Sequence, residues 1–237
     1  PQPIQVWVGN QETFRFNAPG ASAPGWSIQR GGGDPRGLHA VDLQSARSAA
    51  SRVASGDYSV ISGGAENTAS GYASTVGGGY LNTASGVYST VGGGWQNTAS
   101  GYASTVGGGG GNTASGVSAT VGGGESNTAS GAYSTIPGGY NLQVGPRSFG
   151  FSGQTSTTQT DLSANSNIAA FVDVDLWLYN VRDQASQLRL YEPSGSGMNY
   201  TAFRAQAQGA DITYTLPASL TPTTTVEAGI LQTDASG

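Results

Sequence analysis

Residues 55–144 divide into six consecutive units of fifteen, beginning at Ser55, Ser70, Ser85, Ser100, Ser115 and Ser130, and the register never slips. The consensus is S-G-x-Y/A-S-T-V-G-G-G-x-x-N-T-A. Fixed self-similarity at this period is the mark of a stacked repeat architecture. A helical repeat is excluded, because glycine costs about 1 kcal/mol per helix position and most units carry three or more. Short strands remain. Ser-Thr-Val and Asn-Thr-Ala-Ser can each form one extended arm, and runs such as Gly77-Gly78-Gly79 can supply the positive φ of the turn between them.

Each unit is then one coil of a parallel β-solenoid, with coils about 4.8 Å apart so that backbone groups pair above and below. Alternation assigns the faces. Ile61, Val76, Val91, Val106, Val121 and Ile136 form one inward column, and Ala69, Ala84, Ala99, Ala114 and Ala129 another. Asn67, Asn82, Asn97, Asn112 and Asn127 read as a turn-side ladder of amides bonding coil to coil. The sixth unit ends Asn141-Leu142-Gln143-Val144 and reads as a terminal, capping coil. A core of Val, Ala and Ser is thin, which leads to the expectation that several chains pack their rolls side by side around an axis.

The S-x-V-x-G and A-S-G elements at this spacing resemble the head repeats of trimeric autotransporter adhesins, the YadA-like left-handed parallel β-roll, over about 90 of the 237 residues. That resemblance implies a homotrimeric fibre. Arg52-Val53-Ala54-Ser55-Gly56 aligns with Asn-Thr-Ala-Ser-Gly, so residues 40–54 are expected to form a degenerate first coil. The competing reading there is a helix, suggested by Leu38, Val41, Ala46, Ala49 and Val53.

The flanks differ in texture. Residues 1–39 hold short alternating stretches, Gln5-Val6-Trp7-Val8 and Thr13-Phe14-Arg15-Phe16, that suggest a small β cap or attachment segment. Residues 145–170, rich in Ser, Thr, Gly and Gln, read as a neck or linker. From 171 to 237 an antiparallel β module is expected. There Val172, Val174, Leu176 and Leu178 share one strand face, Gln187-Leu188-Arg189-Leu190-Tyr191 pairs with Tyr200-Thr201-Ala202-Phe203-Arg204 as a hairpin, and Ile212-Thr213-Tyr214-Thr215-Leu216-Pro217 follows. The L-R-L-Y-E, Y-T-A-F-R-A, Y-T-L-P and L-Q-T-D-A-S-G series resembles segments of bacteriophage tail-fibre proteins. The whole is thus expected to be all-β, a parallel roll of about six coils followed by an antiparallel module.

Composition narrows the chemistry. All nine basic residues are arginine and the net charge is −5, which removes the P-loop lysine, a Schiff-base amine and a basic track for nucleic acid. There is no cysteine, hence no disulfide and no thiolate metal site. No run approaches the eighteen apolar residues of a membrane span, and Pro1-Gln2-Pro3-Ile4-Gln5-Val6-Trp7 lacks the basic and apolar regions of a secretory signal.

Candidate sites are few. His39, the single histidine, has no nucleophile elbow to accompany it and reads as a loop residue. Asp173 and Asp175 could begin a calcium site or a carboxylate pair, against the plainer reading of a polar strand face. Tyr80, Trp95 and Tyr140, with Tyr72 and Tyr102 on the other arm, could form an aromatic strip that stacks sugars. Two threonine columns, Thr75, Thr90, Thr105, Thr120, Thr135 and Thr68, Thr83, Thr98, Thr113, Thr128, would suit an ice-binding surface, although threonine is also an ordinary strand residue.

The expectation is a non-enzymatic trimeric attachment fibre without catalytic residues, metal or cofactor. Its partners would be its own copies, other virion or cell-surface structural proteins, and host glycans or surface protein. Its place would be a phage tail or head fibre, or alternatively a bacterial cell surface.

Overall fold

The computed structural model describes residues 4–8, 11–17, 27–29, 33–176, 187–191 and 200–204. Each fifteen-residue unit contributes one Thr-Val (or Val-Ile, Thr-Ile) pair to one parallel sheet, and units one to five contribute one Thr-Ala pair to a second. Stacking is in strict register, Thr90 beside Thr75 and Thr105, and Thr98 beside Thr83 and Thr113. The molecule is an all-β parallel solenoid of about eight turns, and the helix considered for residues 40–54 does not form. Instead Val41–Asp42 pairs with Val60–Ile61 in the valine sheet, and Val53 and Ala54 are fully buried.

That first coil begins earlier than residue 40. Val41 pairs with Val60, nineteen residues on, and the Gly37 backbone lies against Gly56 as Gly56 lies against Gly71. His39, Ala40 and Val41 therefore hold the places of Tyr58, Ser59 and Val60. Four extra residues in this turn hide the period from a fifteen-residue reading.

At the other end, the neck expected over 145–170 is solenoid. Phe149–Ser152 pairs with Thr135 of the valine sheet, Ala169–Val172 pairs with Phe149–Ser152, and Thr160–Leu162 pairs with Leu142–Val144. The sixth unit is thus not the terminal coil. Phe171 and Val172, placed by alternation in an antiparallel strand, end a parallel one. Val172 and Leu162 pack on the core, while Leu176 is exposed. Spacings of 18 to 20 residues between partners (Val144 to Leu162, Ser152 to Val172) replace fifteen, and the longer turns carry the Ser/Thr-rich composition that reads as linker.

The β element expected in residues 1–39 is present and joins the stack. Ile4–Val8 and Gln11–Asn17 form a bulged antiparallel hairpin, Ser27–Gln29 adds to it, and Ser27–Gln29 in turn pairs in parallel with Val41–Asp42. In the separate C-terminal unit, Gln187–Tyr191 and Tyr200–Arg204 pair antiparallel with Leu188 opposite Phe203, the hairpin expected from sequence. Leu178, residues 193–197 and residues 212–217 lie outside the described residues.

The interior closes within a single chain. Every Val/Ile and Ala of the two inward columns has no exposed surface, and neither do Asn67, Asn82, Asn97, Asn112, Asn127 or Ser74. The thin core therefore does not need partner chains to cover it, because buried asparagine fills the volume that large apolar side chains would otherwise occupy. Contacts between copies would use the outer faces.

The glycines of each run serve separate ends. The third (Gly79, Gly94, Gly109, Gly124) has φ of 83 to 86°, a left-handed turn that suits glycine. The first does not share this role, and of the second only Gly78 has a positive φ, 157° and close to extended, so the expectation that the whole run supplies positive φ holds mainly for the third position. Left-handed backbone also falls on non-glycine residues of every full repeat, such as Tyr58, Leu81 and Gln96.

A buried serine column accompanies the core. Ser104 and Ser134 hydroxyls donate to the Gly101 and Gly131 carbonyls at 2.8 and 2.6 Å. Those of Ser59, Ser74 and Ser89 are buried without such a bond, and Ala119 stands in the same column fully buried. Ser74→Ala is therefore expected to leave stability unchanged or raise it by up to about 1 kcal/mol, since a buried unsatisfied hydroxyl is removed. The check is the urea midpoint at unchanged slope.

Candidate functional site

Three features outside the plain repeat could carry function: the polar inner ladder with its ends, a charged plug at the first coil, and two aromatic columns on the outside.

The asparagine ladder is internal, and its amides bond backbone rather than one another. Asn82 donates from Nδ2 to the Gly78 carbonyl of its own coil and the Gly94 carbonyl of the next, both at 2.9 Å, while its Oδ1 accepts from the Asn97 N–H at 3.0 Å. The pattern repeats at Asn67, Asn97, Asn112 and Asn127. Sequence reading missed both ends. At the start, Gln44 Oε1 accepts from the Asn67 N–H at 2.8 Å and its amide donates to the Arg52 and Asn67 carbonyls. At the finish, Leu142 N–H closes on Asn127 Oδ1, and beyond it Gln154 donates to the Tyr140 and Asn141 carbonyls. A glutamine at each end reaches across a longer turn that an asparagine could not span.

The plug is built on Asp42, which holds the register place of Ile61 in the inward valine column. Its carboxylate is fully buried, with Arg36 Nε at 2.9 Å and Arg47 Nη2 at 3.4 Å. Burial lowers the Arg36 pKa, opposed by the Asp42 charge. Beside it Arg52 meets Glu66 at 2.6 Å, and Ser48 Oγ donates to the same Glu66 oxygen. An apolar column that ends in a neutralised charge no longer offers a sticky end. The plug closes the apolar column, while the sheet itself runs on to Ser27–Gln29.

Glu66 gives the first coil a pH dependence. Its pKa is lowered, chiefly by hydrogen bonding from Ser48 and further by Arg52, with burial acting the other way. A carboxyl lower in the folded than in the unfolded state, where it titrates near about 4.3, adds stability that is full above that value and lost as pH falls through the folded one. Wild-type stability is therefore expected to drop more steeply below about pH 4 than that of Glu66→Gln, as followed by melting temperature against pH. Parallel curves would rule this out.

The aromatic residues fall into two columns rather than one strip. Ala65, Tyr80, Trp95, Gly110, Glu125 and Tyr140 succeed one another by single parallel bridges. Tyr80 and Trp95 are about half exposed, and the Trp95 indole reaches over Gly110, its Cε3 within 3.5 Å of where a Cβ would stand, with Glu125 on the far side. On another edge, Tyr72 and Tyr102 are joined by Tyr58 and Tyr88, which sequence reading left out. His39–Tyr58–Tyr72–Tyr88–Tyr102 form a continuous ring ladder with centroids 5.0 to 5.7 Å apart, the tyrosine pairs edge to face. The signal for the missing members was present: tyrosine alternates between the third and fourth places of successive units, and the turn brings both places to one edge.

His39 sits in a turn with φ of 59° and stacks on Tyr58. Asp173, with φ of 51°, and Asp175 are exposed, and among the described residues no group of three or more His, Asp or Glu is arranged to hold a metal ion. Among the described residues no helix is long and apolar enough to cross a membrane. The threonines of both columns are half-buried and stand outward beside the buried Val and Ala.

No family model matches this chain, and no curated protein matches it significantly.

Proposed function

We propose that the chain is a non-enzymatic attachment fibre, a homotrimer whose solenoid spaces and presents a binding surface on a virion tail or head fibre. The observation that carries this reading is the unbroken coil-to-coil bonding. Backbone pairs such as Thr90 N–H to Ser104 O and Ser85 N–H to Ala99 O, both 2.9 Å, recur at every step, together with the inner amide ladder. Such stacking makes a stiff spacer that lengthens by simple addition of coils. The resemblance to YadA-like head repeats and to phage tail-fibre segments supports the same reading. A bacterial surface adhesin is the alternative setting, with the same physics.

Light scattering after gel filtration is expected to return three chains per particle, and a monomer would overturn the trimer. Within this reading the exposed Trp95 and Glu125, either side of Gly110, offer an indole face and a carboxylate to a host glycan, and Trp95→Ala is expected to abolish retention on the host surface. One observation favours a different function. On the alanine sheet the threonine column runs beside an exposed serine column, Thr83 with Ser85 and Thr98 with Ser100, an array of hydroxyls suited to ice. Thermal hysteresis in a freezing assay would select that reading over attachment.

A further inference from the structure

The ring ladder lies in a longer surface feature. Tyr58, Tyr72, Tyr88, Tyr102 and Tyr133, with Val87 and Val117, are between 38 % and 64 % exposed. All of them fill the third or fourth place of a unit and so follow one edge of the solenoid through six coils. From the second unit to the sixth these two places hold Tyr72-Ala73, Val87-Tyr88, Tyr102-Ala103, Val117-Ser118 and Ala132-Tyr133, with no charged residue among them. An apolar stripe that carries a charge only at its first coil, at Asp57, marks an interaction surface.

We propose that this tyrosine and valine edge is where copies of the chain pack side by side, parallel and in register. The inference rests on the assembly reading above and adds the face it uses. Three observations select a second copy as the occupant. The stripe repeats once per coil in strict register, so a parallel copy presents an identical series in which each residue meets its own equivalent. Its area approaches that of a small interface: aromatic side chains carry roughly 150–250 Å² each, so five tyrosines about half exposed give roughly 400–600 Å². The two valines bring that towards the roughly 800 Å² per partner of a standard interface. Lastly, the rings already brace one another edge to face, so little side-chain freedom remains to be lost on packing.

The test uses the full chain, which has no cysteine of its own. Val117→Cys is expected to give a disulfide-linked pair on exposure to diamide. Ser100→Cys, exposed on the alanine sheet, is expected to give none. Val117→Arg is expected to convert the oligomer to monomer with an unchanged circular dichroism spectrum, because that place tolerates Asp57 and Ala132 in sister coils. A wild-type monomer overturns the assembly reading and this inference together. A wild-type oligomer that persists in Val117→Arg, or that cross-links through Ser100→Cys and not through Val117→Cys, overturns the choice of face and leaves the oligomer standing.

Discussion

Asn97→Ala is expected to lower the unfolding free energy by about 4 kcal/mol, among the largest losses available from a single side chain here. The change removes a partner from three backbone groups at once: the part-buried Gly93 and Gly109 carbonyls, each accepting from Nδ2 at 2.9 Å, and the buried Asn112 N–H, which donates to Oδ1 at 3.0 Å, while the Gly109 carbonyl keeps the Trp95 N–H at 2.9 Å. A buried polar group left without a partner costs about 1–3 kcal/mol, and the cavity adds to it. Asn97→Asp is expected to be worse despite equal size. A carboxylate has no proton for the two carbonyls that face it and brings a charge into the interior. Chemical denaturation followed by circular dichroism measures both, and a loss under about 1 kcal/mol for Asn97→Ala would show that the amides are replaceable filler.

Two glycines of one coil are expected to behave oppositely. A Cβ on Gly101 would run into the Gly116 carbonyl of the next coil, closer than 3.0 Å, and the obstacle is backbone that cannot rotate away. Gly101→Ala must push the stack apart, at a cost of at least about 3 kcal/mol, the upper range for overpacking. A Cβ on Gly108, in the middle of the glycine run, meets nothing within 4 Å. Gly108→Ala is expected to stay within about 1 kcal/mol of wild type, with a gain in reach because the unfolded chain loses freedom. Comparing the two melting temperatures checks the pair, and equal losses would contradict the assigned roles.

These contrasts mark how far the sequence carries. The parallel stack and both inward columns could be read from residues 55–144, because a fixed period and side-chain alternation determine which residue lies above which. The asparagine column was legible as a ladder, but not as an internal one bonded to backbone, since periodicity says nothing of which turn carbonyls lie within reach. Beyond Val144 the reading failed for a physical reason. Coil-to-coil bonding constrains the strands and leaves turn length free, so once partners lie 18 to 20 residues apart the repeat disappears from the sequence while persisting in space. The same insertions concealed Gln44 and the Asp42 plug. Tyr58 and Tyr88 were missed because a turn brings two sequence positions to one edge, where alternation along a strand gives no guide.

The direction of the bonding also sets how the solenoid answers force. The bonds between coils lie along its axis, so a pull on the two ends loads one junction at a time instead of shearing many together. Each coil that peels away frees about fifteen residues, roughly 50 Å of extended chain, in place of the 4.8 Å or so it occupied in the stack. A stack of this kind yields in even steps, dissipating load while the remaining coils stay folded, and each lost turn can rebuild on the intact edge below it.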